Sequence, residues 1–246
     1  MRIKVLISGL LAAAAVLLAA ALDTPGIWVG VVTVLLQLVF AYTWPGFTGC
    51  EKPWPLRVIL ALAALASSAA AVGLGANPGL QDSLLVIAAG VLLVFVSQVF
   101  RGAAASGRLT NVVAGISGLA LVSQGAGFSA LGAVAGGFGI ILVTVASLLG
   151  SGAVAMTRLP DQVVMVLSVL TGSAVAAAAS ALPLGLYWYH CLLIGALAGL
   201  LVGSMRAIVL ATRAIRSTTH ILAVSTLILL VAGALSWYAM QVMGRI

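Results

Sequence analysis

Charge is what this sequence has least of. Four of its 246 residues are Asp or Glu and eleven are Lys or Arg, so 6% of the chain is charged and 63% is hydrophobic. A soluble domain carries about 25% charge. So little polar surface cannot keep a 24.7 kDa globule in water. Soluble, disordered and nucleic-acid-binding classes are excluded, and a chain with mean hydropathy +1.30 must be solvated mostly by lipid.

Metal-ligating and catalytic side chains are scarce too. There are two cysteines and two histidines. The charge pattern below puts Cys50 and His220 on one side of the membrane and His190 and Cys191 on the other. A tetrahedral site needs its ligands at ~2.0–2.3 Å from one ion, so no metal site is expected, and no Cys50–Cys191 disulfide. The four acids are Asp23, Glu51, Asp82 and Asp161. All fall at the ends of apolar runs. Mg²⁺-dependent and two-metal enzymes need clustered carboxylates, and a proton- or sodium-coupled carrier commonly uses one at mid-span. There is no P-loop. The basic and acidic C-terminal signature of integral-membrane cytidylyltransferases is not matched by Arg213–His220, which lacks a carboxylate. No cofactor is implied.

What is abundant is long apolar runs. A helix crosses ~30 Å of hydrocarbon with about 20 such residues. A barrel would need apolar and polar residues to alternate, and here they do not. The fold expected is an all-α polytopic transmembrane bundle forming a single domain over 1–246. Charges, prolines and glycines mark nine spans: Val5–Leu22, Ile27–Trp44, Arg57–Gly75, Ser83–Phe100, Leu109–Gln124, Ser129–Gly150, Gln162–Leu182, Leu186–Met205 and Ile221–Met243. Leu109–Gly150 is about two spans long, and the division is placed at Gly125-Ala126-Gly127, a glycine-rich turn signal. If the short Leu109–Gln124 is re-entrant, the count is eight. The first segment also reads as a signal peptide, with Ala19-Ala20-Ala21 at its end.

Cytoplasmic loops are rich in Lys and Arg. With the N-terminus inside, Arg2, Lys4, Lys52, Arg57, Arg101, Arg108, Arg158, Arg206, Arg213 and Arg216 share the inner face. Only Arg245 falls outside. This predicts N-terminus in and C-terminus out, in a multi-pass plasma-membrane protein. Trp28, Trp44, Trp54, Tyr187, Trp188, Tyr189, Trp237 and Tyr238 stand near span ends, as interfacial anchors do.

Helices in lipid associate through small residues. Gly195, Gly199 and Gly203 recur every fourth residue in Leu186–Met205, and Gly132 and Gly136 do so in Ser129–Gly150. Both sets are read as contact faces, toward another helix of the chain or a second protein. Gln37, Gln98, Asn111, Gln124 and His190 are the polar groups in or near spans. They either line a polar path or bond neighbouring helices. The Arg206–Arg216 segment sets Arg206, Arg213, Arg216 and His220 within about 80° of one another as a helix. It is expected to lie on the inner leaflet, where the arginines either fix topology or bind lipid phosphate or an acidic partner. The Trp44–Arg57 loop is stiffened by Pro45, Pro53 and Pro55.

Tyr42–Pro45, the run Phe95–Arg101 with Arg108, and the small-residue helix Asn111–Leu121 resemble a family of actinobacterial integral membrane proteins. The resemblance covers the first half of the chain and implies a source, with no activity assigned. The function expected is that of a non-enzymatic accessory or assembly component, packing against lipid, partner helices or a second copy. The alternative is a permease or lipid transporter for an uncharged or lipid-linked substrate. A lipid-active enzyme would need Asp161 folded close to Arg206–Arg216.

Overall fold

The computed structural model describes residues 2–22, 25–73, 79–101, 106–212 and 217–244. Among them every regular element is an α-helix. In chain order these are α1 (Arg2–Ala20), α2 (Pro25–Phe47), α3 (Pro53–Ala71), α4 (Ser83–Phe100), α5 (Arg108–Gln124), α6 (Ala126–Ala133), α7 (Gly137–Ala155), α8 (Asp161–Ala179), α9 (Trp188–Thr212) and α10 (Thr218–Val242). Eight segments from Gly26 onward are long and apolar enough to cross a bilayer, with α5 and α6 counted as one stretch, Arg108–Ala133. The helical bundle and its membrane character are therefore as the composition requires.

The division of the long central run lies elsewhere than expected. Gly125 has φ −58° and ψ −30°, helical values, so the backbone passes through it from α5 into α6. A glycine allows a turn without imposing one. The chain turns ten residues later, where Val134 is extended and Gly136 adopts φ +82°. Leu109–Gln124 is therefore not a short separate span: α6 prolongs it to 26 residues. Gly136 belongs to that turn, not to a helix face, and a Cβ on it would meet nothing within 4 Å. The expected surface helix Arg206–Arg216 is not separate either. Residues Arg206–Thr212 continue α9 without a break, and Arg213 and Arg216 lie outside the described residues.

Side-chain contacts show which helix ends lie together. At one end Glu51 meets Arg101 and Ser106, Phe47 meets His220, and Arg206 meets Asp161. At the other end Gly26 approaches Gly132, Gly79 approaches Trp237, and Gly139 approaches Leu184. The core forms two clusters. One, with Val16, Phe128, Ile140, Cys191 and Trp237, fills the space among α1, α6, α7, α9 and α10. The other, with Phe40, Trp44, Leu60, Val94 and Leu119, ties α2, α3, α4 and α5. Helix α10 contributes to both and is 72% buried across its span, whereas α4 is 17% buried.

Candidate functional site

The polar residues read as either a path or bonds between neighbouring helices lie in distinct places. Gln37 is fully buried halfway along α2. Its Nε2 donates to the Val122 carbonyl at 2.7 Å and stands 3.4 Å from Ser67 Oγ, and its Oε1 accepts from Ser68 Oγ at 2.7 Å. Ser129 Oγ in turn donates to Ser68 Oγ at 3.3 Å. Three helices, α2, α3 and α5, thus meet at one amide, and α6 joins them through Ser68. The location has a local reason. Next to the junction the Gly125 N–H turns back to the Val122 carbonyl at 3.2 Å, and the side-chain amide of Gln37 joins it there. A polar backbone group in lipid needs such a partner. A Cβ on Gly125 would stand 2.9 Å from Gln37 Cγ and collide with the Leu230 side chain, so any larger residue would have to displace both side chains.

Gln98 and Asn111 do come together, at the end of the bundle that holds Glu51. Asn111 Nδ2 is 3.5 Å from Gln98 Oε1, which also accepts from Arg101 Nη1 at 3.0 Å. Arg101 reaches Glu51 at 3.9 Å, and Ser106 Oγ donates to the same carboxylate at 2.6 Å. Gln124 is half-buried and joins neither group. His190 lies in the first turn of α9, at the opposite end from Gln98. It stands edge-on to Tyr187 and Tyr189, with centroids 5.6 and 4.3 Å away.

Arg206 is engaged by its neighbours through two of its three nitrogens, while Nη1 is buried without a hydrogen-bond partner. Its Nη2 donates to the Leu159 carbonyl at 3.0 Å and its Nε lies 3.5 Å from Asp161 Oδ1, with the side chain 9% exposed. The carboxylate a lipid-active site would need is indeed beside this arginine, and the two neutralise each other.

The triple glycine register packs inside the chain. A Cβ on Gly195 would strike the Gly172 carbonyl, one on Gly199 the Ser168 carbonyl, and one on Gly203 would lie 3.1 Å from Met165 Cα. All three neighbours belong to α8, so α8 and α9 touch backbone to backbone. Gly132 lies against α2, where its Cβ would stand 2.9 Å from Val29 Cβ. Among the aromatics, Trp28, Trp54, Tyr187, Trp188, Tyr189 and Tyr238 are exposed, as anchors require. Trp44 and Trp237 are buried instead, and Trp44 Nε1 donates to the Ala114 carbonyl at 2.9 Å.

The serine partners of Gln37 and the bridging role of Glu51 were not singled out from the sequence. Ser67-Ser68, a polar pair inside an Ala/Leu run, was the available signal for the first. Glu51 offered none, since its partners lie 50 and 55 residues away in sequence. Between α7, α9 and α10 a cavity of about 10 Å³ is lined by Thr144, Ile194, Ala198, Ala232, Ser236 and Ala239. That is room for about one water, and its two hydroxyls already bond each other at 2.7 Å. Both cysteines are free thiols. Among the described residues no three His, Cys, Asp or Glu side chains gather as a metal site would.

The chain matches no protein-family model, and comparison with curated proteins and with solved structures finds no similar chain.

Proposed function

We propose that this chain is a multi-pass plasma-membrane component that works by packing against partner helices or lipid, without catalysing a reaction. The observation that carries this reading is the closure of the Gln37 cluster. Its amide oxygen and nitrogen are both engaged by the protein. A translocation site keeps polar groups available to its cargo. The thin burial of α4 and α8, 17% and 22%, leaves apolar faces for lipid or a partner.

Nine crossings with the N-terminus inside accompany the proposal. Pairing of Glu51 with Arg101, of Phe47 with His220 and of Arg206 with Asp161 at one end supports the alternation of loops. So does the placement of ten of the eleven cations. The first-half resemblance points to an actinobacterial source. Cysteine placed at Ser106, in a chain lacking Cys50 and Cys191, should react with an impermeant maleimide only after the cells are opened. Labelling of intact cells overturns this topology. Purification in mild detergent from the native host should bring down a stoichiometric membrane protein. Recovery of the chain alone, at full yield and folded, overturns the accessory role.

A second reading, a permease or lipid transporter for an uncharged or lipid-linked substrate, is favoured by the one-residue interruption of regular helix between α5 and α6 at Gly125. Interrupted helices near mid-bilayer are where many carriers bind substrate. Solute or lipid flux in proteoliposomes that is abolished by Gln37→Leu would establish it over the accessory role.

A further inference from the structure

Where α4 hands over to α5 the polar atoms do not balance. Arg101 Nε, Arg108 Nε and Asn111 Oδ1 are all buried, and none has a hydrogen-bond partner. Folded proteins leave few such atoms, and each calls for a ligand, an ion or a water. Asn111 is 3% exposed and the Arg101 side chain 12%.

The three groups belong to one patch. Gln98 Oε1 bridges Arg101 Nη1 and Asn111 Nδ2 at 3.0 and 3.5 Å. Arg108 precedes Asn111 by three residues, so the two share a face of α5. A Cβ on the intervening turn's Gly107 would lie 3.2 Å from Glu51 Cδ, which brings the α2–α3 connection to the same spot. Glu51 is the one carboxylate among these residues, and Arg101 and Ser106 already engage it. Arg108 has no carboxylate within ion-pair distance among the described residues. Two guanidinium donors and one amide acceptor therefore remain. Their complement is an anionic phosphate with a hydroxyl close by. The residues flanking the patch, Phe100 and Leu109, are 86% and 77% exposed, as side chains beside acyl chains are.

We propose that this patch binds the headgroup of an anionic glycerophospholipid. Phosphate oxygens accept from Arg101 and Arg108, and a headgroup hydroxyl donates to Asn111 Oδ1. Basic clefts between helix ends on the cytoplasmic side are suited to such headgroups. Free glycerol phosphate carries the same chemistry, but the flanking apolar side chains give the lipid a place for its chains. The site is separate from Arg206, whose charge is met by Asp161. It rests on the membrane reading of the chain and holds for either role proposed above.

The test is native mass spectrometry of the full chain, delipidated in detergent and titrated separately with phosphatidylglycerol, phosphatidylmethanol, phosphatidylcholine and glycerol phosphate. Phosphatidylglycerol should bind most tightly. Arg108→Gln should weaken it about tenfold, the scale of one charge-assisted hydrogen bond, while Arg158→Gln, the same charge change at an exposed loop position, should leave it unchanged. Equal loss in both variants shows attraction by net charge alone and overturns the site. Phosphatidylmethanol, anionic but without a hydroxyl, should bind more weakly than phosphatidylglycerol to the native chain and equally to Asn111→Val. No preference in the native chain overturns the hydroxyl contact. Glycerol phosphate binding without phosphatidylglycerol binding overturns the lipid as its source. Arg108→Lys guards against misfolding, because it keeps the charge and should keep most of the binding. None of these readouts depends on a protein partner or on flux, so their failure is distinct from failure of the proposed role.

Discussion

The pair α8–α9 and the group α2–α3–α5–α6 are held together by opposite means. Between α8 and α9 there is almost no side chain at the closest contact. Gly172 faces Gly195 and Gly199, and a Cβ on Gly172 would lie 2.5 Å from the Gly195 carbonyl oxygen and 2.7 Å from Ser151 Oγ. In the second group one long polar side chain, Gln37, reaches across to two other helices. Lipid tails are as apolar as leucine, so neither pair gains from hiding apolar surface. The first relies on dispersion between backbones in contact, the second on hydrogen bonds that water cannot contest. The first tolerates no added volume. The second tolerates volume but needs its polar atoms.

Substitutions should separate the two. Gly199→Leu places a side chain against the Ser168 carbonyl and Val169 Cα, both backbone atoms of α8. It should destabilise by about 3 kcal/mol or more, read as a fall in the thermal midpoint of detergent-solubilised protein. Unchanged melting would show that α8 and α9 are not in contact. Gln37→Leu, close in volume, removes three hydrogen-bonding contacts and should cost about 1–2 kcal/mol in the same assay. A stabilised variant would mean that the cluster is not a strut. Gly136→Ala, at φ +82° with open space around it, should cost about 1 kcal/mol from backbone strain alone. A loss as large as that of Gly199→Leu would place the turn at Gly136 in error. Gly46→Ala, where α2 ends and nothing lies within 4 Å of the added Cβ, should change stability by less than about 0.5 kcal/mol. It sets the floor of the comparison.

How much of this could be read from the chain follows the same division. The contact face of α9 was legible because a spacing of four places Gly195, Gly199 and Gly203 in one line on any helix. The identity of the facing helix was not, since Gly172 stands alone in its sequence neighbourhood. Bundle architecture and membrane character followed from composition. The turn at Gly136 was misplaced to Gly125 because two glycines signal freedom, and only the partners of Val122 and Leu230 decide how that freedom is used. For Arg206 the periodicity pointed to a cationic stripe, of which Arg213 and Arg216 lie outside the described residues. Asp161, 45 residues earlier, takes the charge of Arg206. Whether the polar residues would group was not legible, because one-dimensional spacing says nothing of which ends of which helices meet. Gln98 and Asn111 meet, whereas His190 lies at the other end of the bundle.

Gln37 also sets a problem of timing. Ser68, which donates to its oxygen, follows it by 31 residues, and the Val122 carbonyl, which accepts from its nitrogen, by 85. As the chain is synthesised, α2 emerges with an amide it cannot satisfy alone. The hairpin with α3 meets the oxygen through Ser68 and offers the nitrogen only the long 3.4 Å contact to Ser67, and the short 2.7 Å bond to Val122 forms when α5 arrives. An unmet polar group in hydrocarbon is costly, so α2 and α3 should stay sheltered beside the insertion machinery until the fifth helix joins them. The order of assembly is thus written into a single side chain.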